Sequence, residues 1–399
     1  MAGVTRRDVV RAGIAASALV ATARWSDWWR PALAAPAEPG LSPFGPLSDE
    51  PDVNGIFLPD GFTSRVVAVS DRPVIPASSY EWHPYPDGGA TFPTRGGGWI
   101  YVSNSETGDG GVGALRFDAR GRVVDAYRIL DGTSANCAGG PTPWGTWLSC
   151  EERPEGHVWE CDPRRAGQGI ERPALGTFTH EAAAVDPVGR AVYLTEDHPD
   201  GRLYRFVPTA YPDLTNGSLQ AAAVGPDGTV TWTEAGADAP QRGRDTTGFD
   251  GGEGMFYDRG TVVFTTKGDG RVWALDVHQQ ALSVVYDSRA HDDPPLTGLD
   301  NITVHPRSGD LFVAEDGGNL ELCVISRPGR SGASVVASFA RVAGPPRSEI
   351  TGPAFTRAGN RLYFSSQRGT IGSRDGAGIT YEIRGPFVNV VGSRSRPAG

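Results

Sequence analysis

The sequence repeats one short unit, in which a polar residue leads an apolar strand, a turn follows, and a second apolar strand ends in polar groups. The copies are similar to one another in sequence, and internal similarity of this kind is the signature of a repeat architecture. Their polar leaders, spaced 44, 72, 48 and 51 residues apart, are Cys137, Glu181, Glu253, Asn301 and Gly352. A sixth, earlier copy runs through Trp99 to Glu106. These intervals are the size of a four-stranded blade, and the longest one predicts an insertion around residues 208–244.

A four-stranded unit cannot bury both of its faces alone, so its copies stack radially around a central channel. Glycine and proline, with 54 and 32 residues, supply the many turns that this arrangement needs. We therefore predict an all-β, six-bladed β-propeller that forms a single domain over residues 36–399.

Blade symmetry brings equivalent positions of the six copies to one mouth of the channel. Four of the copies place the leader and the end of the second strand 14 residues apart, as in Glu253 and Lys267. This register predicts one ring that contains the five leaders. It predicts a second ring nearby with the following members: Asn104, Glu151 or Glu152, Glu196, Lys267, Glu315 and Ser366.

Carboxylates that converge in a partly dry channel repel one another unless cations neutralise them. Many hard oxygen ligands favour calcium, and a thiolate among them favours a transition metal as well. A single acid after a strand is usually a turn cap, but the recurrence at equivalent positions predicts a metal centre that includes Cys137. The glycines after Cys137 predict a close approach of the backbone to a ligand. The net charge of −10 provides no basic surface for nucleic acid or an anionic membrane.

The four cysteines are too few for a disulfide scaffold. Cys150 and Cys323 lie in apolar strands, where a core position is expected. A bond between Cys150 and Cys161 is compatible with the sequence, which does not decide it.

The first 35 residues read as an export signal. Arg6 and Arg7 form a twin-arginine pair, an apolar run follows, and Ala32 to Ala34 offers a small-residue cleavage site. The apolar run is too short to cross a bilayer, and we expect no membrane span elsewhere. The chain is thus expected to use the Tat translocase and to reside in the periplasm, in the cell envelope or outside the cell.

The run from Asn136 to Glu152 is long and specific: NCAGGPTPWGTWLSCEE. Together with Asn104-Ser-Glu106, His180-Glu181 and Glu253-Gly254, it resembles the PhoX family of bacterial alkaline phosphatases. The resemblance covers roughly residues 50–385. It implies a propeller with a mixed cluster of iron and calcium that hydrolyses phosphate esters outside the cytoplasm. It also implies metal ligands at Cys137, Glu152, Glu181 and Glu253, and a contact between Asn104 and the substrate phosphate.

Two further site residues follow from the predicted ring: Glu315 as a metal ligand and Lys267 as a binder of the substrate anion. The chain departs from the family pattern at Ser105, where other members have histidine. It also departs at Gly251 and Gly252, where they carry an arginine that grips phosphate. Lysine does not copy the two-pronged guanidinium. Lys267 or an arginine of the insertion, Arg242 or Arg244, is a possible replacement.

Two other functions remain open at this stage. A calcium-dependent propeller lactonase uses the same fold but needs no cysteine, so Cys137 argues against it. A non-catalytic propeller with a structural metal is the third interpretation, and the missing arginine favours it. In each case the chain is expected to act as a monomer.

Overall fold

The chain folds into six sheets arranged around a central channel, which confirms the predicted all-β, six-bladed propeller. The computed structural model describes residues 35–76, 78–167, 169–236, 242, 245–327, 333–370 and 377–388. The predicted signal, apart from residue 35, and Arg244 lie outside the described residues. Among these residues, no helix is long and apolar enough to cross a membrane.

Three strands precede the blades: β1 Glu38–Pro39, β2 Ile56–Phe57 and β3 Thr63–Val69. Blade 1 consists of β4 Pro86–Pro93, β5 Trp99–Ser105, β6 Gly111–Phe117 and β7 Val123–Leu130. Blade 2 consists of β8 Asn136–Pro141, β9 Trp147–Glu151, β10 Val158–Cys161 and β11 Gly169–Glu171. Blade 3 consists of β12 His180–Asp186, β13 Ala191–Glu196, β14 Leu203–Ala210, β15 Asp213–Val224 and β16 Val230–Ala235.

Blade 4 consists of β17 Gly252–Asp258, β18 Thr261–Thr266, β19 Arg271–Asp276 and β20 Ala281–Asp287. Blade 5 consists of β21 Leu299–Val304, β22 Leu311–Glu315, β23 Glu321–Ile325 and β24 Val335–Val342. Blade 6 consists of β25 Ile350–Phe355, β26 Arg361–Ser366 and β27 Ile379–Arg384, and takes β3 as its outermost strand. Two 3-10 helices, Pro173–Leu175 and Ser288–Ala290, lie between strands of the described chain.

The N-terminal segment closes the ring of blades. Strand β3 pairs antiparallel with β27, so the start of the propeller completes its last blade. Strands β1 and β2 both pair with β24 and cover the outer edge of blade 5. Covered edges prevent pairing with other chains. The described part of the predicted insertion forms the long β15 and a fifth strand, β16, at the edge of blade 3.

The innermost strand of each blade packs against that of the next, and β25 of blade 6 returns to β4 of blade 1. Glycine makes this close approach possible. A Cβ on Gly140 would lie 1.8 Å from the carbonyl oxygen of Ala183 in the next blade. Gly254 is similarly close to the backbone of Asn301. The glycines after Cys137 therefore serve strand packing, while their close approach to a ligand stays a prediction.

Apolar side chains fill the spaces between neighbouring blades. Aromatic residues such as Trp147, Tyr204 and Phe312 are fully buried there. All four cysteines are free and buried. Cys150 pairs in register with Val158, and Cys161 with Trp147, so these two thiols lie at different levels of blade 2 and form no disulfide.

Candidate metal centre

Each innermost strand carries a β-bulge near its start. In blades 1 to 5 the register between the first two strands shifts by one residue just after the first pair, and in blade 6 it shifts after the second pair, Thr351–Ser365. A bulge places an extra residue in one strand and re-aims its side chain. The first pairs, from blade 1 to blade 6, are Pro86–Ser105, Asn136–Glu151, His180–Glu196, Gly252–Thr266, Leu299–Glu315 and Ile350–Ser366.

The residue that follows each first pair along the chain belongs to the inner ring, and in blades 1 to 5 it lies at the bulge. Its members are Asp87, Cys137, Glu181, Glu253, Asp300 and Thr351, and all are buried. The predicted ring had Asn301 and Gly352 in blades 5 and 6, one position too late. The uniform spacing behind that prediction fails because the hairpins differ in length, from 14 residues between Gly252 and Thr266 to 19 between Pro86 and Ser105.

A second residue from each blade follows the second strand directly. These residues form the outer ring: Glu106, Glu152, Asp197, Lys267, Asp316 and Gln367. Most of them are partly exposed, unlike the inner ring. The sequence prediction placed Glu152 and Lys267 correctly at this level. In blades 3, 5 and 6 it chose the last strand residue and missed the residue that follows, and in blade 1 it chose a residue two positions before Glu106. The displaced members are Glu196, Glu315, Ser366 and Asn104.

Ligand atoms of the two rings lie close enough to share metal ions. Three groups have their potential ligand atoms within 4.8 Å of one another: Asp87, Glu106 and Cys137; Cys137, Glu152 and Glu181; Glu181, Glu253 and Asp300. Cys137 belongs to two groups, and its thiol donates to Oε1 of Glu181 at 3.3 Å. Oε2 of Glu181 is buried without a hydrogen-bond partner. Thus four of the five predicted ligands, Cys137, Glu152, Glu181 and Glu253, come together.

The electrostatics of these groups call for a cation. Burial and the neighbouring Glu253 raise the pKa of Glu181 well above its usual value. Burial and Glu106 raise the pKa of Glu152 to about 9. Burial and Asp87 raise the pKa of the Cys137 thiol in the same way. Without a positive ion, several of these groups must hold protons, so the donor set fits bound metal.

Glu315 occupies a different setting. Its Oε1 accepts from the backbone N–H of Thr297 at 2.8 Å, and its Oε2 accepts from that of Glu321 at 3.1 Å. Glu151 and Glu196, at the same position in other blades, likewise accept from a backbone N–H six residues later. These carboxylates cap the loop between the second and third strands, and the three groups do not include Glu315.

Asn104 is fully buried behind Cys137. Its Nδ2 donates to the carbonyl oxygens of Cys137 and Ala138 at 3.0 and 2.8 Å. Its Oδ1 accepts from Trp147 and Ser149. All donors and acceptors of the amide thus have protein partners. In this arrangement Asn104 holds the bulge that presents Cys137.

The mouth also contains positive charge. Nζ of Lys267 lies 3.0 Å from Oε1 of Glu253 and 3.1 Å from Oδ2 of Asp316. Arg368 follows the outer ring and pairs with Glu349 at 2.8 Å. Arg242, the described candidate from the insertion, pairs instead with the loop-capping Glu196.

Asp87 and Asp300 are members of the inner ring that the repeat pattern did not predict. A signal for Asp87 exists, because Asp87-Gly-Gly in blade 1 parallels Cys137-Ala-Gly in blade 2. For Asp300 the signal is its own position, 15 residues before Glu315, which equals the interval from Glu181 to Glu196.

Comparison with known proteins supports the resemblance seen in the motifs. The model of the family "Alkaline phosphatase PhoX" matches residues 116–156 and 153–280. The solved structure of Pseudomonas fluorescens PhoX in complex with vanadate has a TM-score of 0.67 and 17% identity, covering 83% of this chain and 96% of that one.

Other solved structures are less similar. A protein of unknown function from Bacteroides thetaiotaomicron has a TM-score of 0.50 and 8% identity, covering 81% of this chain and 76% of its own. A gluconolactonase from Xanthomonas campestris has a TM-score of 0.45 and 15% identity, covering 86% of this chain and 99% of its own. No curated protein matches this sequence.

Proposed function

The chain is related to the PhoX family of alkaline phosphatases, and from this premise we propose that it is a metal-dependent phosphoesterase. The observation that carries the proposal is the clustering of Cys137 with Glu152 and Glu181 at the mouth of the channel. A thiol between buried carboxylates selects a redox-capable or softer ion together with hard cations. Calcium and iron, which the family resemblance implies, fit this mixture of ligands.

We assign the iron to the groups that share Cys137, because its sulfur is the soft ligand of the site. The flanking carboxylates of Asp87, Glu106, Glu152 and Glu181 provide the oxygen ligands for iron and calcium. Glu253 and Asp300 extend the oxygen-rich side of the inner ring. The predicted ligand Glu315 contributes indirectly, by fixing the loop that precedes Asp300.

Bound metal ions supply positive charge that polarises a phosphoryl oxygen. The protein's own side chains orient the ester at the rim. Lys267, whose side chain is 35% exposed, and the partly exposed Arg368 provide the cationic groups on one side of the mouth. Lys267 thereby retains its predicted role toward the substrate anion. Asn104 acts as a positioning residue through Cys137.

Two further parts of the proposal rest on the sequence. The twin-arginine segment supports export through the Tat translocase to the periplasm, the cell envelope or the medium. The closed ring of blades, in which β3 completes the last blade, supports a monomer, and the family resemblance supports small phosphate esters as substrates.

Metal analysis combined with hydrolysis of an aryl phosphate tests the function. We expect iron and calcium in the purified protein, and activity that disappears with chelation and returns only when both ions are restored. Calcium without iron, together with turnover of a lactone, would support the lactonase instead. Bound metal without turnover of either substrate would contradict an enzymatic role.

A further inference from the structure

The outer ring is acidic in most blades but basic in one. The residue after the second strand is a carboxylate in blades 1, 2, 3 and 5, an amide in blade 6, and Lys267 in blade 4. Lys267 is also the only lysine of the whole sequence. An ammonium group therefore stands where the pattern of the other blades provides an oxygen ligand.

The ammonium of Lys267 is bound as a cation between two blades. It contacts Oε1 of Glu253 in its own blade and Oδ2 of Asp316 in the next, at 3.0 and 3.1 Å.

One of the two carboxylates that Lys267 contacts, Glu253, belongs to one of the three groups of potential metal ligands. Glu253 belongs to the group with Glu181 and Asp300, which is the group without Cys137. Glu181, which this group shares with the group of Cys137 and Glu152, keeps Oε2 buried without a hydrogen-bond partner, as an unfilled ion site would. The other two groups share Cys137.

We propose that the ammonium of Lys267 takes the place of one divalent cation at the group formed by Glu181, Glu253 and Asp300. The ammonium neutralises this side of the ring and its alkyl chain fills space that an ion and its water ligands would need. Metal ions are then confined to the two groups that share Cys137. Replacing Lys267 by a carboxylate would restore the pattern of the other blades and open one more cation site. This inference rests on the metal-binding part of the proposed function.

The test counts metal ions per chain in the full-length protein. Wild-type protein and Lys267→Glu are equilibrated with calcium, separated from free ions by gel filtration, and analysed by inductively coupled plasma mass spectrometry. We expect Lys267→Glu to bind one calcium ion more per chain than the wild type, with its iron content unchanged. Lys267→Arg preserves the charge and should bind the same number as the wild type.

Arg242→Gln is the matched control for loss of positive charge, because Arg242 pairs with Glu196 outside the two rings. It should leave the metal count unchanged. Equal counts in wild type, Lys267→Glu and Lys267→Gln would overturn the inference while leaving the metal centre intact. A wild-type protein that binds no metal would overturn the proposed metal centre itself.

A second measurement uses the melting temperature instead of the number of bound ions. Added calcium should raise the melting temperature of Lys267→Gln more than that of the wild type, since an additional bound ion stabilises the folded state by mass action. An equal rise in the two proteins would contradict the inference.

Discussion

Two buried carboxylates of the same blade differ in their hydrogen bonds and, accordingly, in their roles. In blade 3, Glu181 sits at the bulge of the first strand, and Glu196 sits opposite, at the end of the second strand. Glu196 accepts from the backbone N–H of Arg202 and from the hydroxyl of Tyr204. Glu181 accepts only from the Cys137 thiol among the described residues and keeps one oxygen without a partner.

The contrast shows how to separate a structural acid from a metal ligand in a repeat protein. Both glutamates are buried and both recur at equivalent positions in other blades. A buried acceptor that is fully hydrogen-bonded stabilises the fold, whereas an unpaired buried carboxylate costs free energy until a ligand compensates it. Satisfaction of the oxygen atoms, and not burial or recurrence, distinguishes Glu181 from Glu196 and Glu315.

The largest expected effect is on activity. Glu181→Gln removes one charge from two of the ligand groups, and we expect a loss of bound metal and at least a 100-fold loss of aryl phosphatase activity, as for removal of a transition-state contact. Metal-free Glu181→Gln should melt no lower than metal-free wild type, because the raised pKa keeps the Glu181 carboxyl protonated without metal and glutamine is its neutral isostere. Glu315→Gln, the same chemical change at a capping carboxylate, is the control and should retain its metal. Equal metal loss in both variants would contradict the distinction between Glu181 as a metal ligand and Glu315 as a capping carboxylate.

The next effect concerns the residue behind the thiol. Asn104→Ala frees the carbonyl oxygens of Cys137 and Ala138, and residues that orient a metal ligand typically contribute 10–100-fold in metal affinity. We expect a weakening of iron binding in that range, measured by competition with a chelator. If metal affinity is unchanged and only the KM for the ester rises, Asn104 contacts substrate, as the family resemblance implies.

A smaller effect is expected on stability alone. Glu315→Ala leaves the N–H group of the buried Glu321 without its acceptor, which costs about 1–3 kcal/mol, and it also frees the N–H group of Thr297, an exposed residue that water can reach. Urea unfolding of the metal-free protein should show this loss, and Glu315→Gln, which keeps one acceptor oxygen, should show less of it. Loss of metal from Glu315→Ala before any loss of stability would make Glu315 a ligand after all.

The smallest expected effect is on the pH dependence of stability, which should have opposite signs in the metal-free and the metal-loaded protein. In the metal-free protein the pKa of Glu152 is raised to about 9 and that of Asp300 to about 6, both chiefly by burial. The folded state therefore binds more protons than the unfolded state below pH 9, so its free energy of unfolding should rise as the pH falls from 9 to 6.5.

Below pH 6.5 the rise should become weaker, because burial lowers the pKa of both His83 and His180 to about 3 and the unfolded chain then takes up protons at these histidines. The metal-loaded protein should lose stability as the pH falls from 9 to 6.5, because protons compete with the metal ions for the ligands. Thermal melts with and without chelator check both slopes. A metal-free protein that becomes steadily less stable from pH 9 to 6.5 would contradict the raised pKa values.

The repeat in the sequence was sufficient to predict the number of blades, because strand and turn patterns survive changes in loop length. It also placed Cys137, Glu181 and Glu253 in one ring. It failed by one residue in blades 5 and 6, where Asp300 and Thr351 occupy the ring. Hairpin lengths and the bulge decide which side chain faces the channel, and neither is visible in hydrophobic periodicity.

The distinction between Glu315 and the neighbouring Asp316 could not be predicted for a related reason. Successive residues of a strand point to opposite faces, but the strand ends between them, and the acceptor role of Glu315 depends on backbone groups at Thr297 and Glu321. Such loop geometry requires the folded chain.

Anomalous diffraction at the iron absorption edge tests the central claim most directly. Crystals of the wild-type protein should show an iron peak within bonding distance of the Cys137 sulfur and beside the carboxylates of Glu152 and Glu181, and the peak should vanish in Cys137→Ala. An iron peak remote from Cys137, or one that persists unchanged in the variant, would contradict the assignment of this channel mouth as the metal centre.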